Sequence, residues 1–455
     1  MPPFRCSIDC IIFFINLQEN TNLNYNEGIS VSRPVIFSTM QQSVPPRYRW
    51  QLLALLFCAY FFHQADRAIF GIVLPSIKGE LNLTDTQLGW SATILFLITA
   101  LMVPVAGFLG DRWSKKWIIT ISIIFWSIAT SLTGTAKGLW GIIAFRSVAT
   151  SGSESFYGPA STALIAAYHQ KTRAIALSIH QASLYFGIMI SGFLAGWIAD
   201  MFGWRSAFYL FGCCGILLGI SFIFLLRDAP KTAPSAKVPQ EKPLPPFEAI
   251  KRIVRIPTAL LLTVGFTAIV FVNNAYLTWS PAFIKAKFDL SQTEAGGYTM
   301  LYHHLAALCG VLLGGMLADY LVPKFPRFRL LLQTTAMFLG APMIFCFGWL
   351  PSLTLVWTAT FLFGFLRGLY ESNTHAAMFD VIPAQLRSTV VGLMIMTAFL
   401  IGSLSPLLLG YLSDQYPDEG LGLTYGFSIL SMAWVIGGLC LLTALCFTFK
   451  KDKRG

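Results

Sequence analysis

Charge is what this chain has least of. Only 12% of its 455 residues are Asp, Glu, Lys or Arg, while 55% are hydrophobic; soluble domains carry about a quarter charged residues. A soluble globular protein is thereby excluded, and the chain belongs in a bilayer. Ten-residue segments of alternating polarity are missing, which excludes a membrane β-barrel. The nine cysteines keep no framework or ligand spacing. Cys58, Cys213, Cys214, Cys309, Cys346, Cys440 and Cys446 fall inside apolar runs, where Cys is a small hydrophobe, so no disulfide, metal site or cofactor is expected. No Walker A sequence occurs, which argues against ATP-driven work by this chain. "SGSES" at 151–155 offers serines, but no His–Asp partner is placed by sequence and a G-x-S-x-G elbow needs a strand. An intramembrane enzyme is therefore not expected. A non-transporting sensor would add a soluble output domain, for which the linker and tails are too short.

What the chain does have is length of apolar run. A helix needs roughly 20 mainly apolar residues to span the hydrocarbon, and backbone in lipid must satisfy itself internally. Twelve such runs lie near 50–77, 88–110, 117–136, 139–167, 174–199, 207–226, 258–283, 295–321, 329–350, 353–378, 389–412 and 424–449. If the N-terminus is cytoplasmic, 22 Lys/Arg fall on the cytoplasmic side against five on the other, Lys78, Lys137, Arg205, Lys285 and Lys287. Basic residues are retained inside, so both termini are expected there, in the cytoplasmic membrane. The net charge of +11 is then a topology signal. Its scatter over many short loops argues against a nucleic-acid footprint.

The predicted organisation is a tail at 1–45, six spans at 46–226, a Pro- and Lys-rich linker at 227–257, six further spans at 258–449 and a basic tail at 450–455. "CIIFFINL" at 10–17 is too short for a span and lacks a cleavage site, which suggests a disordered upstream extension of a protein starting at Met40. The two sets of spans repeat one another. Gly-x-x-x-Asp closes a span four times, at Gly107/Asp111, Gly196/Asp200, Gly315/Asp319 and Gly410/Asp414. The glycine permits close helix approach, and the aspartate can cap a helix or pair with basic loop residues. Internal repeats of this kind put a substrate near the midplane between two halves.

Charges inside the runs are the candidate site. A mid-span charge costs about 2.5–3.5 kcal/mol on the insertion scale and usually faces a cavity or partner. Asp66 and Arg67 lie in the first run, Arg146 and Glu154 in the fourth, and Arg367 and Glu371 in the tenth. Arg367 and Glu371 are spaced i,i+4 and can pair; Arg146 and Glu154 are two turns apart and cannot be each other's main contact. Arg67 presents a fork suited to a carboxylate, and Asp66 beside it is expected to compete with an anionic substrate for that fork. Asp66, Glu154 and Glu371 are the candidate proton carriers. Arg67, Arg146, His180, Gln181, Tyr185, Arg367, Asn373 and His375 are candidate substrate contacts. Asn273, Asn274, Tyr276 and Trp279 suit a hydroxylated ring, with interfacial packing as the equal alternative.

"GFLGDRWSKK" at 107–116 resembles the loop signature G-x-x-x-D-R-x-G-R-R of the major facilitator superfamily, and the resemblance covers nearly all of 46–449. Gly107, Asp111 and Arg112 match, Lys115 and Lys116 stand for the basic pair, and Ser114 replaces a glycine. The resemblance implies twelve transmembrane helices in two pseudo-symmetric six-helix bundles. It also implies that this cluster gates the cytoplasmic side in the outward-open state. Asp66, Arg67, Arg146, Glu154 and "ESFYGPASTALIAAY" resemble two branches, the spinster-like transporters and the anion:cation symporters of sugar acids. The spinster-like pattern R-x6-E-A-x-Y is met with Glu154 one place later and Ser155 for Ala. The function expected is proton-coupled symport of a sugar acid or related polar anion by a monomer, its partners being that substrate, H⁺ and the lipid bilayer. A spinster-like carrier of lysolipid or another amphiphile is the alternative.

Overall fold

The computed structural model describes residues 46–228, 245–416 and 418–453. The expected N-terminal tail, most of the linker and the last two residues lie outside this range. All regular structure among the described residues is helical. The long helices are α1 (Pro46–Leu81), α2 (Asp85–Arg112) and α3 (Lys115–Thr133). Four short pieces follow: α4 (Leu139–Ile142), a π-helical stretch Ile143–Thr150, α5 (Ser151–Glu154) and α6 (Tyr157–Tyr168). Then come α7 (Arg173–Phe202), α8 (Trp204–Leu225), the short α9 (Pro246–Val254), α10 (Pro257–Phe288), α11 (Gln292–Leu321) and α12 (Phe328–Trp349). The chain closes with α13 (Leu353–Glu371), α14 (Thr374–Phe379), α15 (Arg387–Gly402), α16 (Leu404–Asp414), α17 (Glu419–Thr443) and α18 (Phe449–Asp452).

Eleven helical segments among the described residues are long and apolar enough to cross a membrane. The fourth run of the sequence is not among them because it is broken. Pro159 lacks an N–H and its ring crowds the carbonyl four residues back, which is that of Ser155, and the helix parts at Ser155–Phe156. Hydroxyls relieve the disturbed backbone, as polar side chains do where a helix is irregular in lipid. Thr150 donates to Phe145 O at 3.0 Å, Ser153 to Ala149 O at 2.9 Å and Ser155 to Ser151 O at 2.9 Å. A second break falls between α13 and α14, at Ser372–Asn373. Each break comes directly after a glutamate, Glu154 in one case and Glu371 in the other.

Helix starts follow ordinary capping chemistry. Thr84 and Ser291 each form a capping box, with Gln87 at the head of α2 and Glu294 at the head of α11, a reciprocal arrangement that satisfies orphan N–H groups. Gly203, at φ +82°, makes the turn from α7 into α8. The first and second halves of the chain meet chiefly where α7 packs on α11, α2 on α15 and α16, and α1 on α10. One end of the molecule carries Tyr48, His169, Leu225, Pro326 and Lys453 and is called the basic face below. The other carries Glu80, Asp85, Asp200, Asp414 and Gly348 and is called the opposite face.

Candidate functional site

Glu154 is the last residue of α5, where a helix C-terminus disfavours negative charge. An arginine offsets this. Arg67 of α1 donates from Nε to Glu154 Oε2 at 2.9 Å, and His63 Nε2 stands 3.8 Å from the same oxygen. Arg146, in the π stretch, turns instead to Asp66: Nη1 lies 3.5 Å from Oδ2, and Nη2 donates to the Asp66 carbonyl at 3.0 Å. Asp66, Arg146 and Glu154 are buried; Arg67 keeps 13% of its side chain accessible. The expected competition of Asp66 with a substrate for Arg67 is not the geometry found. Neighbouring residues on a helix point about 100° apart and do not face each other, so each takes a partner from the fourth run instead.

The second half builds a parallel group. Arg367 donates from Nε and Nη2 to Glu371 Oε1 at 3.0 and 2.7 Å, the i,i+4 pair expected. Its Nη1 lies 3.0 Å from His303 Nε2. A guanidinium only donates, so His303 Nε2 is the acceptor and carries no proton. Glu371 keeps 25% of its side chain accessible and accepts a hydrogen bond from Tyr185 of α7 at 3.3 Å. That bond joins the two halves of the chain at the level of the buried charges.

The remaining candidates divide. His180 Nε2 lies 3.0 Å from the Tyr157 hydroxyl, and its ring stacks on Tyr60 at 4.6 Å. Gln181 and His375 are exposed. Asn373 is buried and donates to Gly314 O at 3.3 Å. Tyr276 is buried with its ring 4.5 Å from His303, so it supports the Arg367 group. Trp279 is buried and donates to Pro406 O at 2.9 Å, Asn274 is buried, and Asn273 is half-buried. These four thus do not form one patch. Tyr60, Tyr157 and Trp126, which ring His63 at 5.6, 5.7 and 5.4 Å, escaped the sequence reading. Their signal was faint: Tyr60 and His63 share a face of α1 one to two turns before Arg67.

Of the loop cluster, the Asp111 side chain lies outside the described residues. Arg112 is exposed over the Phe108 ring, and Lys116 donates to Ile223 O at 2.8 Å within its own half. Lys115 is half-buried, and Gly107 has open space where a Cβ would stand. Two other members of the Gly-x-x-x-Asp set do join the halves. Asp200, at the end of α7, accepts from Gln292 N at 3.2 Å and Thr293 N at 2.9 Å at the start of α11. Asp414, at the end of α16, accepts from Asp85 N at 3.0 Å and Thr86 N at 2.7 Å at the start of α2. A carboxylate on the N-terminal amides of a helix meets both unpaired donors and the positive end of the helix dipole.

The Major Facilitator Superfamily matches residues 56–406. The chain belongs to this superfamily. Protein spinster homolog 1 of Xenopus tropicalis is 27% identical over 442 residues, covering 90% of this chain and 82% of the relative. The crystal structure of a bacterial homolog to the human lysosomal transporter Spinster, inward-facing and unoccupied, superposes with a TM-score of 0.79 at 22% identity, covering 91% of this chain and 99% of that one. The D-xylose-proton symporter shares the fold at a TM-score of 0.68 and 13% identity, over 88% of this chain and 98% of its own. The protein is a major facilitator superfamily transporter, and spinster proteins are among the relatives and structures it resembles.

Proposed function

We propose that this transporter carries a small polar organic anion, a sugar acid or related hydroxylated solute, across the cytoplasmic membrane together with a proton. Twelve spans in two six-helix bundles rock about the central charges, with both termini in the cytoplasm. The observation that carries the coupling is that Arg67, Arg146 and Arg367 each have a carboxylate, those of Glu154, Asp66 and Glu371. A neutral, poorly hydrated site that gains an anion alone is left with an uncompensated charge, which is strongly unfavourable. A proton placed on Glu154 or Glu371 restores neutrality and releases a guanidinium fork for the substrate carboxylate. Arg67 and Glu371, partly accessible, are the groups a solute would reach first.

The test is pH-jump-driven uptake and equilibrium exchange in proteoliposomes. Glu154→Gln should keep exchange while losing uphill accumulation, and Arg67→Lys should lose most of both because an ammonium cannot bind a carboxylate bidentately. Normal accumulation by Glu154→Gln, or pH-independent uptake by the unaltered protein, overturns proton coupling through this residue. A second reading, transport of a lysolipid or another amphiphile, is favoured by the aromatic box of Tyr60, Tyr157, Trp126 and His180 beside the first-half charges. Competition of sugar acids against lysophospholipids for labelled uptake separates the two.

A further inference from the structure

The basic face of the second half holds a pocket lined by none of the central charges. It encloses about 460 Å³ between the turn joining α11 to α12 and the end of the chain around α18, and is lined by Lys324, Phe325, Pro326, Arg327, Phe449, Lys450 and Lys453. Four cations and no carboxylate line it. Two other cations of this half do have a carboxylate partner: Arg329 pairs with Asp380 at 3.0 Å and Arg252 with Glu248 at 2.7 Å. None of the four pocket cations forms a salt bridge among the described residues; their polar contacts are Lys324 Nζ to the Tyr320 hydroxyl, Arg327 Nη1 to Leu445 O and Lys453 Nζ to Pro326 O, at 3.3, 3.4 and 3.4 Å. These long contacts to neutral oxygens, with the Tyr320 ring beside Lys324 and the Phe449 ring beside Lys453, leave the four positive charges close together without a carboxylate among the described residues.

The apolar surroundings say what relieves it. Tyr320, Phe325 and Phe447 stand 67%, 63% and 70% exposed around the pocket's two edges, one turn or less from its lysines along the chain. Aromatic side chains beside a basic cluster at the end of a span mark the membrane–water boundary, and basic pockets there hold anionic lipid head groups. A free anion in water would meet the four charges but gain nothing from the exposed rings. We propose that this pocket binds the phosphodiester head group of an anionic phospholipid, its acyl chains lying along Tyr320 and Phe447, so that one lipid ties the α11–α12 turn to the end of α17–α18.

The full-length protein in phosphatidylcholine nanodiscs containing a photoactivatable phosphatidylglycerol provides the test. Adducts should concentrate on peptides covering residues 320–327 and 447–453. Joint replacement Lys324→Gln, Arg327→Gln, Lys450→Gln and Lys453→Gln should lower that labelling by tenfold or more, since each cation near an anionic surface is worth about fivefold. Joint replacement Arg47→Gln, Lys171→Gln and Arg173→Gln, on the same face of the first half, should leave it unchanged. Labelling spread evenly around the lipid belt of the unaltered protein overturns the proposal even if the fourfold variant fails to fold. So does equal loss in the first-half variant. Full displacement by millimolar inorganic phosphate, which has no acyl chain, assigns the pocket to a soluble anion and equally overturns it.

Discussion

The Gly-x-x-x-Asp motif stands in different surroundings at the two faces of the molecule. On the opposite face, Gly196 and Gly410 lie where helices of different halves touch: a Cβ on Gly196 would sit 2.6 Å from Gln292 O, and one on Gly410 would overlap Asp85 O. One turn on, Asp200 and Asp414 each hold the first amides of a helix from the other half. On the basic face, Gly107 and Gly315 have no atom within 4 Å of a built Cβ, and Asp319 is exposed. The same four-residue spacing thus brings helices of different halves into contact at one end, while at the other the glycines of the motif stand in open space. A helix end carrying this motif can therefore close on a helix start of the other half, as those of Asp200 and Asp414 do.

Breaking the closed pair sterically should have the largest effect. Gly196→Ala with Gly410→Ala forces a methyl against backbone in both contacts, and overpacking costs about 1–3 kcal/mol per site. The closed state should lose at least tenfold in population, read as faster labelling of Ala282→Cys, buried beside an opposite-face cavity of about 550 Å³, in a background free of native cysteines. Gly107→Ala with Gly315→Ala should leave that labelling unchanged or slower, because those methyls meet open space here and crowd only the other state.

Removing charge rather than adding bulk should act in the same direction but less. Asp200→Asn with Asp414→Asn keeps an acceptor oxygen and loses the charge; helix-cap losses run about 0.5–2 kcal/mol each, so several-fold faster Ala282→Cys labelling is expected. Equal labelling in the variant and the parent would mean that the glycine contacts alone hold this face. A smaller shift should follow from Tyr185→Phe, which deletes the one hydrogen bond to Glu371 from α7 at a cost of about 0.5–1.5 kcal/mol. Its signature is faster exchange with accumulation retained, measured in proteoliposomes.

The smallest effect belongs to the basic face. His169, buried at the end of α6, makes contacts of 2.9 Å with the Arg49 carbonyl and the Thr172 hydroxyl, and burial pulls its imidazole below the usual histidine range. The folded form prefers the neutral ring, so the stability it contributes is full above the ordinary histidine value near 6.5 and is lost as pH falls below it. Hydrogen-exchange protection in the 165–173 segment, taken relative to the intrinsic rate at each pH, should therefore fall between about pH 6.5 and pH 5, and His169→Gln should flatten that dependence.

Much of this was legible before any fold was known. Apolar runs, the four Gly-x-x-x-Asp sites and the charges at Asp66, Arg67, Arg146, Glu154, Arg367 and Glu371 are local properties of the chain. Lipid turns such properties into structure directly, since a long apolar run has little choice but to be a helix and a charge within it must find a partner. Even the Arg367–Glu371 pair could be read, because i,i+4 spacing fixes it within one helix. Which partner Arg67 takes could not be. Glu154 reaches it only because α1 and the fourth run pack at a particular rotation and because Pro159 ends the helix just beyond that glutamate. Nor could the sequence say that Asp200 and Asp414 are the ones that hold helix starts of the other half. Those pairings depend on which helix ends the packing of the bundle brings beside which helix starts, and only the tertiary structure decides that.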